Sequence, residues 1–242
     1  MQSFLGDYPG ARSNPVYKFH RAIESFLMQD YEDKELIIVS DDCPITMREY
    51  LKEWSQVSSI RAINGEGIPG RWDANLRNKG IDIADGEWIT YLDSDDIILP
   101  NRLSNLNKLV LKHQDAEAVF IDGNELFPIT DNVLNASLIN PVETSKLNKG
   151  SIVINDKEYK YIEMDLIRNL TINAKKHGGI TKGIMFSTSR ISHKRDISVR
   201  WPNMSERGED TTFAKMIMKD CKYYLVDNPT YLICHSLSLF DI

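Results

Sequence analysis

Cysteine is scarce in this chain, and badly placed for any cross-link. Only Cys43, Cys221 and Cys234 occur among 242 residues. They are odd in number and far apart, which excludes a disulfide framework and a Cys-x-x-Cys zinc site and suits a reduced, cytoplasmic compartment. No apolar run approaches the roughly 18 residues of a membrane span, so no transmembrane segment is expected. No basic-then-apolar leader opens the chain, which argues against a secretion signal. Internal repeats and low-complexity tracts are missing too, and one domain is the default.

What is present is ordinary for a soluble globular protein: 42% hydrophobic and 26% charged residues, with length enough for one α/β core. The net charge of −6 is unevenly spread. Arg168, Lys175, Lys176, Lys182, Arg190, Lys194, Arg195, Arg200 and Arg207 crowd one stretch whose only acids are Asp196 and Glu206. Such a segment hints at an anionic partner, although a solvated surface explains it equally simply.

Strand and helix signals alternate through the first half. Met1 to Leu5 is a short apolar start, and Gly6 to Ser13 a loop. Asn14-Pro15 opens a helix, with Asn as cap and Pro in the first turn, and Val16, Phe19, Ile23, Phe26 and Leu27 share a face. Glu35 to Ser40 reads as a strand buried on both sides. A helix around Met47 to Trp54, a strand at Ser59 to Ile63, a helix over Asp73 to Ala84 and a strand at Glu87 to Leu92 follow. A helix from Pro100 and a strand at Ala116 to Ile121 complete the pattern. This alternation predicts a mainly parallel sheet with helices on both faces. Asp122 to Gly150 reads as a long irregular connection, Ile162 to Lys176 as a helix broken by Gly178-Gly179, and Ile180 to Ser187 as a strand. Thr211 to Met218 reads as a helix, and Leu225-Val226 and Tyr231 to Cys234 as late strands.

The acidic run Asp93-Ser94-Asp95-Asp96 directly follows one of these strands. In an extended stretch Asp93 and Asp95 share a face. Carboxylates so close repel unless a cation joins them, and hard oxygen donors suit Mg²⁺ or Mn²⁺ shared with substrate phosphates. An isolated Asp-x-Asp is more often a turn. Here it stands in a longer pattern: Arg77-Asn78-Lys79-Gly80, then Ala84-Asp85-Gly86-Glu87, the strand, and Leu92-Asp93-Ser94-Asp95-Asp96.

That pattern, together with Ser25-Phe26-Leu27 and Glu35 to Asp41, resembles the nucleotide-sugar-binding core of inverting family-2 glycosyltransferases of the GT-A fold. Gly208-Glu209-Asp210-Thr211-Thr212-Phe213 resembles the family's Glu-Asp motif. The resemblance implies a single GT-A domain over 1–242, with a nucleotide-sugar-binding half (1–122) and an acceptor-binding, catalytic half (123–242). It implies that Asp41 binds the nucleobase, typically uracil, that Arg77 lies beside the nucleotide or its diphosphate, and that Asp95 is the principal ligand of Mn²⁺ or Mg²⁺. Asp93 is then directed at the ribose or the metal shell, with Ser94 alongside. It also makes Asp210 the general base, Glu209 an acceptor-orienting group and His235 an additional metal ligand. Asp210 begins a helix, whose positive end is expected to keep it ionised.

Two segments depart from the family pattern. The opening strand is reduced to Met1-Gln2-Ser3-Phe4-Leu5, leaving Ser3 and Tyr8 as candidates for first-loop contacts. The usual Asp-Asp-Gly-Ser is Ser40-Asp41-Asp42-Cys43. The donor implied is a UDP-sugar, and the acceptor a glycan or glycolipid. A second reading keeps the fold and makes the acceptor nucleic acid, such as hydroxymethylated DNA bases, on account of the basic stretch. A third is a non-catalytic nucleotide-sugar-binding protein, and a fourth an Asp-x-Asp phosphohydrolase.

Overall fold

A computed structural model describes residues 1–7, 13–66, 74–121, 125–129, 149–164, 187–204, 208–226 and 229–234. Its first sheet is wholly parallel: β1 (Gln2–Ser3), β2 (Leu36–Asp41) and β3 (Ile60–Gly65) lie in that order, β2 and β3 in register from Leu36 opposite Ile60 to Asp41 opposite Gly65. Helix α1 (Pro15–Leu27) buries Phe19, Ala22, Ile23 and Phe26, a stripe at 3.6-residue spacing, against Leu36, Ile38 and Ile60. Pro15 takes the first turn as expected. Asn14 holds the cap position in the left-handed region (φ 52°), and its side chain makes no cap bond, so it serves by tolerating that backbone rather than by capping. Helix α2 (Pro44–Glu53) links β2 to β3, and α3 (Ala74–Ile83) leads from β3 toward the next strand. A Cβ on Gly65 would lie 2.2 Å from Leu76 Cδ2 and 2.9 Å from the Ser40 carbonyl oxygen. Glycine here lets α3 close onto the end of the sheet.

After β4 (Trp88–Thr90), β5 (Ile97–Ile98) and α4 (Arg102–Lys112), the chain enters β6 (Ala118–Ile121). Three elements from the second half complete this part of the fold: β10 (Ile191–Lys194), α5 (Glu209–Asp220) and β11 (Tyr223–Val226). The second sheet runs β11-β6-β10-β4. β10 is antiparallel to both its neighbours, whereas β11 is parallel to β6. The second half therefore inserts a strand between two strands of the first. Phe213, Ala214 and Ile217 of α5 pack on Ala118, Phe120 and Ile191.

The third sheet, β5-β12-β7-β9-β8, overturns two expectations. β7 (Glu125–Pro128) and the first residues of β8 (Lys149–Ile154) lie in the segment read as irregular. β9 (Lys157–Met164) contains Ile162, read as the start of a helix. The cause is a tight turn. Asn155 and Asp156 both have positive φ, 49° and 62°, as in the mirror-image turns whose twist matches a hairpin. Lys157–Met164 is thus folded back on β8, and its other edge pairs with β7, so pairing on both edges overrides the helical spacing. The remainder of the expected helix, and all but Ser187 of the strand expected at Ile180 to Ser187, lie outside the described residues. β12 (Tyr231–Leu232) joins β5 to β7. No described helix is long and apolar enough to cross a membrane.

Candidate active site

Beyond β4, Asp93 to Asp96 form a turn closed by the Asp96 N–H donating to the Asp93 carbonyl at 3.2 Å. This corrects the expectation of an extended run: Asp93 and Asp95 occupy the first and third turn positions, not one face of a strand. Asp93, Ser94 and Asp95 are half-buried. Asp96 is 3% exposed, and its Oδ1 accepts the Cys234 N–H at 2.7 Å, so this member of the acidic run anchors the chain beyond β12. Two further bonds fix the turn's backbone. The Asp93 N–H donates to the Tyr231 hydroxyl at 2.8 Å. Arg21, buried on α1, donates from Nη2 to the Asp95 carbonyl at 2.6 Å. His235, expected as a further ligand, lies outside the described residues.

The second acidic pair opens α5. Gly208 precedes it at φ 113°, a backbone that favours glycine. Glu209 Oε2 accepts the Gly208 N–H at 3.0 Å, and Asp210 Oδ1 accepts the Thr211 N–H at 2.7 Å. Burial pushes the Asp210 carboxyl up from 3.8 to about 6. The Thr211 N–H and Arg77 oppose this rise, and the charges of Glu209 and Asp93 add to it. The positive helix end expected to hold Asp210 ionised is therefore outweighed by desolvation. At neutral pH the group is still mostly ionised, but it takes a proton far more readily than a surface aspartate.

Arg77 lies beside the second acidic pair and lines the same cavity as Asp93. Its side chain is 7% exposed, and Nη1 lies 3.7 Å from Glu209 Oε1. Its guanidinium carbon is 4.6 Å from the centre of the Trp201 ring. Trp201 Nε1 donates to the Tyr91 hydroxyl at 2.8 Å, and that hydroxyl is 2.6 Å from His193 Nε2. His193 Nδ1 lies 2.7 Å from the Lys194 carbonyl, so Nδ1 carries the proton and Nε2 accepts from Tyr91. Burial lowers His193 to about 4, which keeps the ring neutral. The sequence does not disclose the roles of Arg21, Asn78, His193 and Trp201. Asn78 stands within a motif and Arg21 is a buried charge on α1 beside buried Lys18 and Ser25, whereas Trp201 gives no signal but its rarity.

The other expected residues are less closely joined. Asp41 closes β2 and is 1% exposed. Asp42 is exposed, with φ 45°, and accepts the Asn64 amide at 3.1 Å. Ser3 is buried with its hydroxyl 3.2 Å from that of Thr46, which spends it inside the fold; Tyr8 lies outside the described residues. A cavity of about 370 Å³ separates β2 from β4. Leu36, Val39, Leu103 and Leu106 give it apolar walls, and Arg77 and Asp93 also line it.

Among the described residues no three histidine, cysteine or acidic side chains form a metal cage. A small hard cation does not require one. Mg²⁺ and Mn²⁺ bind through one or two carboxylates and take further oxygens from substrate phosphates and water. Asp93 and Asp95, partly exposed on a turn braced by Arg21 and Tyr231, fit an ion shared in that way.

Residues 18–135 match the model of glycosyl transferase family 2. The match takes in just under half of the chain. The glucosyltransferase WfgD of Escherichia coli, named for UDP-Glc and α-D-GlcNAc-diphosphoundecaprenol, is 26% identical over 75% of this chain and 77% of its own. Two solved structures share the architecture. Staphylococcal (S. aureus) TarS 1-349 in complex with UDP-GlcNAc has a TM-score of 0.60 at 13% identity, over 96% of this chain and 59% of that one. The mannosyltransferase PcManGT of Pyrobaculum calidifontis, in complex with GDP-Man and Mn²⁺, has a TM-score of 0.58 at 13% identity, over 99% and 56%. At such identity the likeness shows the fold, which is the GT-A type expected. This chain spans less than two thirds of either structure.

The family-2 match contains Asp41, Arg77 and the turn at 93–96, but ends before Glu209, Asp210 and Trp201. The whole basic stretch also lies beyond it. Arg190 donates to the Ile121 carbonyl, Arg195 to that of Ala84, and Arg200 to those of Ile197 and Val199. Of these, Arg190 is buried, whereas Arg195 and Arg200 are partly exposed and Arg200 also lies 3.8 Å from Asp82.

Proposed function

We propose that this glycosyltransferase moves a sugar from a UDP-sugar to a hydroxyl of a glycan or lipid-linked glycan, with inversion, on the cytoplasmic side of a membrane or in the cytoplasm. The observation that carries the reading is Asp210. It is a carboxylate held near 6 at the start of α5, within electrostatic reach of both Arg77 and Asp93. Inverting transfer needs one base for the acceptor proton and positive charge for the departing diphosphate. Asp210 takes the hydroxyl proton as the acceptor oxygen bonds to the anomeric carbon and the bond from that carbon to the diphosphate breaks. The Thr211 N–H holds Oδ1 and so orients the carboxylate for this step. Glu209 orients the acceptor. Arg77 supplies a bidentate donor to the diphosphate. Asp95, with Asp93 and Ser94 beside it, holds Mn²⁺ or Mg²⁺, and His235 is assigned as a further ligand. Bound there, the ion supplies Lewis-acid charge to the leaving group. Asp41 is assigned to the uracil.

The names of WfgD and the TarS complex favour UDP as the nucleotide and a lipid-diphosphate-linked sugar as the acceptor. The net charge of −6 counts against a DNA acceptor. Calorimetric titration of UDP and GDP with and without Mn²⁺, followed by transfer to a polyprenyl-diphosphate-linked sugar, tests the reading. Expected are Mn²⁺-dependent UDP binding and transfer. Absence of binding by either nucleotide, or tight binding of DNA at low salt with no transfer to glycans, would sink it.

A further inference from the structure

We propose that Asn78 and Trp201 form a platform that positions Arg77, and thereby set how tightly the diphosphate is held. The proposal rests on the donor reading, and it concerns residues that act through Arg77 without touching the substrate.

The geometry is specific. Asn78 uses its whole amide on the backbone of one residue 123 positions away: Nδ2 donates to the Trp201 carbonyl at 3.0 Å, and Oδ1 accepts the Trp201 N–H at 2.9 Å. The opposite amide orientation would face donor to donor and acceptor to acceptor, so the pair fixes itself. The indole edge is fixed separately through the Tyr91 hydroxyl and neutral His193. Its face carries Arg77 at 4.6 Å and stacks on Phe213 at 4.2 Å with 20° between the rings. Phe213 stands three residues beyond Asp210 on α5. One ring therefore joins the helix that carries the arginine to the helix that carries the base.

An arginine side chain is long and loses much rotamer freedom when it grips a ligand. A guanidinium laid on a fixed aromatic face has given up that freedom before the ligand arrives, which raises affinity without a new contact. A tryptophan needed only for packing would require a partner for its indole N–H, which Tyr91 already provides. The double bond from Asn78, the neighbour of Arg77 on α3, places the ring relative to Arg77 itself.

The test is a double-mutant cycle on UDP affinity, measured calorimetrically with Mn²⁺ on the whole chain. Asn78→Ala is expected to weaken UDP about tenfold and Arg77→Ala by about 30-fold or more, while Asn78→Ala/Arg77→Ala binds no more weakly than Arg77→Ala alone, because interacting residues are non-additive. Trp201→Phe keeps a flat face and loses the indole N–H; it should weaken UDP less than Asn78→Ala and be equally silent once Arg77 is gone, and it serves if Asn78→Ala does not fold. Losses that multiply in the double variants overturn the platform and leave the donor reading intact. So does a lowered melting temperature with unchanged UDP affinity. If Arg77→Ala binds UDP as tightly as the parent chain, the platform falls with the role of Arg77 but not with the activity. A parent chain that binds no nucleoside diphosphate removes donor reading and platform together.

Discussion

Two acidic segments within electrostatic reach of each other are built in opposite ways. The turn at Asp93–Asp96 is braced through its backbone, by Tyr231 and Arg21, and through buried Asp96, which holds the Cys234 N–H. Its other side chains stay partly exposed. The Glu209–Asp210 pair begins a helix, and there burial drives the Asp210 carboxyl to about 6. A rigid backbone that leaves carboxylates accessible suits a group that holds a cation. A desolvated carboxylate, easy to protonate, suits a group that exchanges a proton. The same residue type is thus given two functions by its surroundings, and the comparison breaks if the two segments respond alike to substitution.

The largest difference is expected from Asp210→Asn. Turnover should fall about 100-fold or more, while UDP affinity stays within about twofold. Stability should move the other way. Asp210 has a folded value of about 6 against 3.8 unfolded, so between those values the folded form binds more protons, and stability declines as pH rises through that window. Above about pH 6 the charged group destabilises the fold by up to about 3 kcal/mol, discounted by whatever water reaches it. Asp210→Asn should therefore melt higher than the parent at pH 7 and no higher at pH 4. In the parent, kcat/KM should fall below about pH 6, and that acid limb should vanish from the residual activity of the variant. A lower melting temperature at pH 7, or an acid limb that survives, would assign the base elsewhere.

Substitution at the turn should act on binding. Asp95→Ala is expected to remove the Mn²⁺-dependent part of UDP affinity, a loss of about 10-fold or more, with the acid limb of any remaining activity unmoved. Arg21→Met tests the bracing rather than the ligand. It removes a charged hydrogen bond worth about 1.5–3 kcal/mol, so the melting temperature drops, and the Mn²⁺ dependence should weaken by a few-fold if the rigidity of the turn matters. Full Mn²⁺ dependence in Asp95→Ala would show that the two acidic segments do not divide the work as proposed.

How far these assignments are legible in the sequence follows the same division. Parallel strands with helices between them declare themselves locally: α1 through its Phe19–Ile23–Phe26 stripe, β2 through its apolar run, and the Asp93–Asp96 segment through its place after a strand. The hairpin of β8 and β9 does not, because helical and strand spacing coincide around Ile162 and the deciding signal is two positive-φ residues, Asn155 and Asp156. The Asp93–Asp96 segment stands out in the sequence, but its conformation does not: the turn depends on Arg21 and Tyr231, distant in sequence. Asp210 stands out by its motif, whereas its raised value depends on what buries it. Trp201 does not stand out at all, because its role exists only through Asn78, 123 residues away.

The smallest expected effect separates two adjacent aspartates at the end of β2. Asp41 is 1% exposed, and Asp42 stands in water with Asn64 for a partner. An exposed carboxylate is well screened and gains little from a further polar contact. A carboxylate already withdrawn from water gains more from a base N–H brought to it, because the local dielectric is lower. Asp41→Ala should therefore weaken UDP about three- to tenfold and flatten the preference for UDP over GDP, while Asp42→Ala changes either by less than about twofold. The reverse ranking would move nucleobase recognition to Asp42 and leave Asp41 as a structural group. A fall in the melting temperature of Asp41→Ala with no change in the UDP-to-GDP ratio would likewise make Asp41 structural, since a residue that reads the base must alter the ratio and not only the fold.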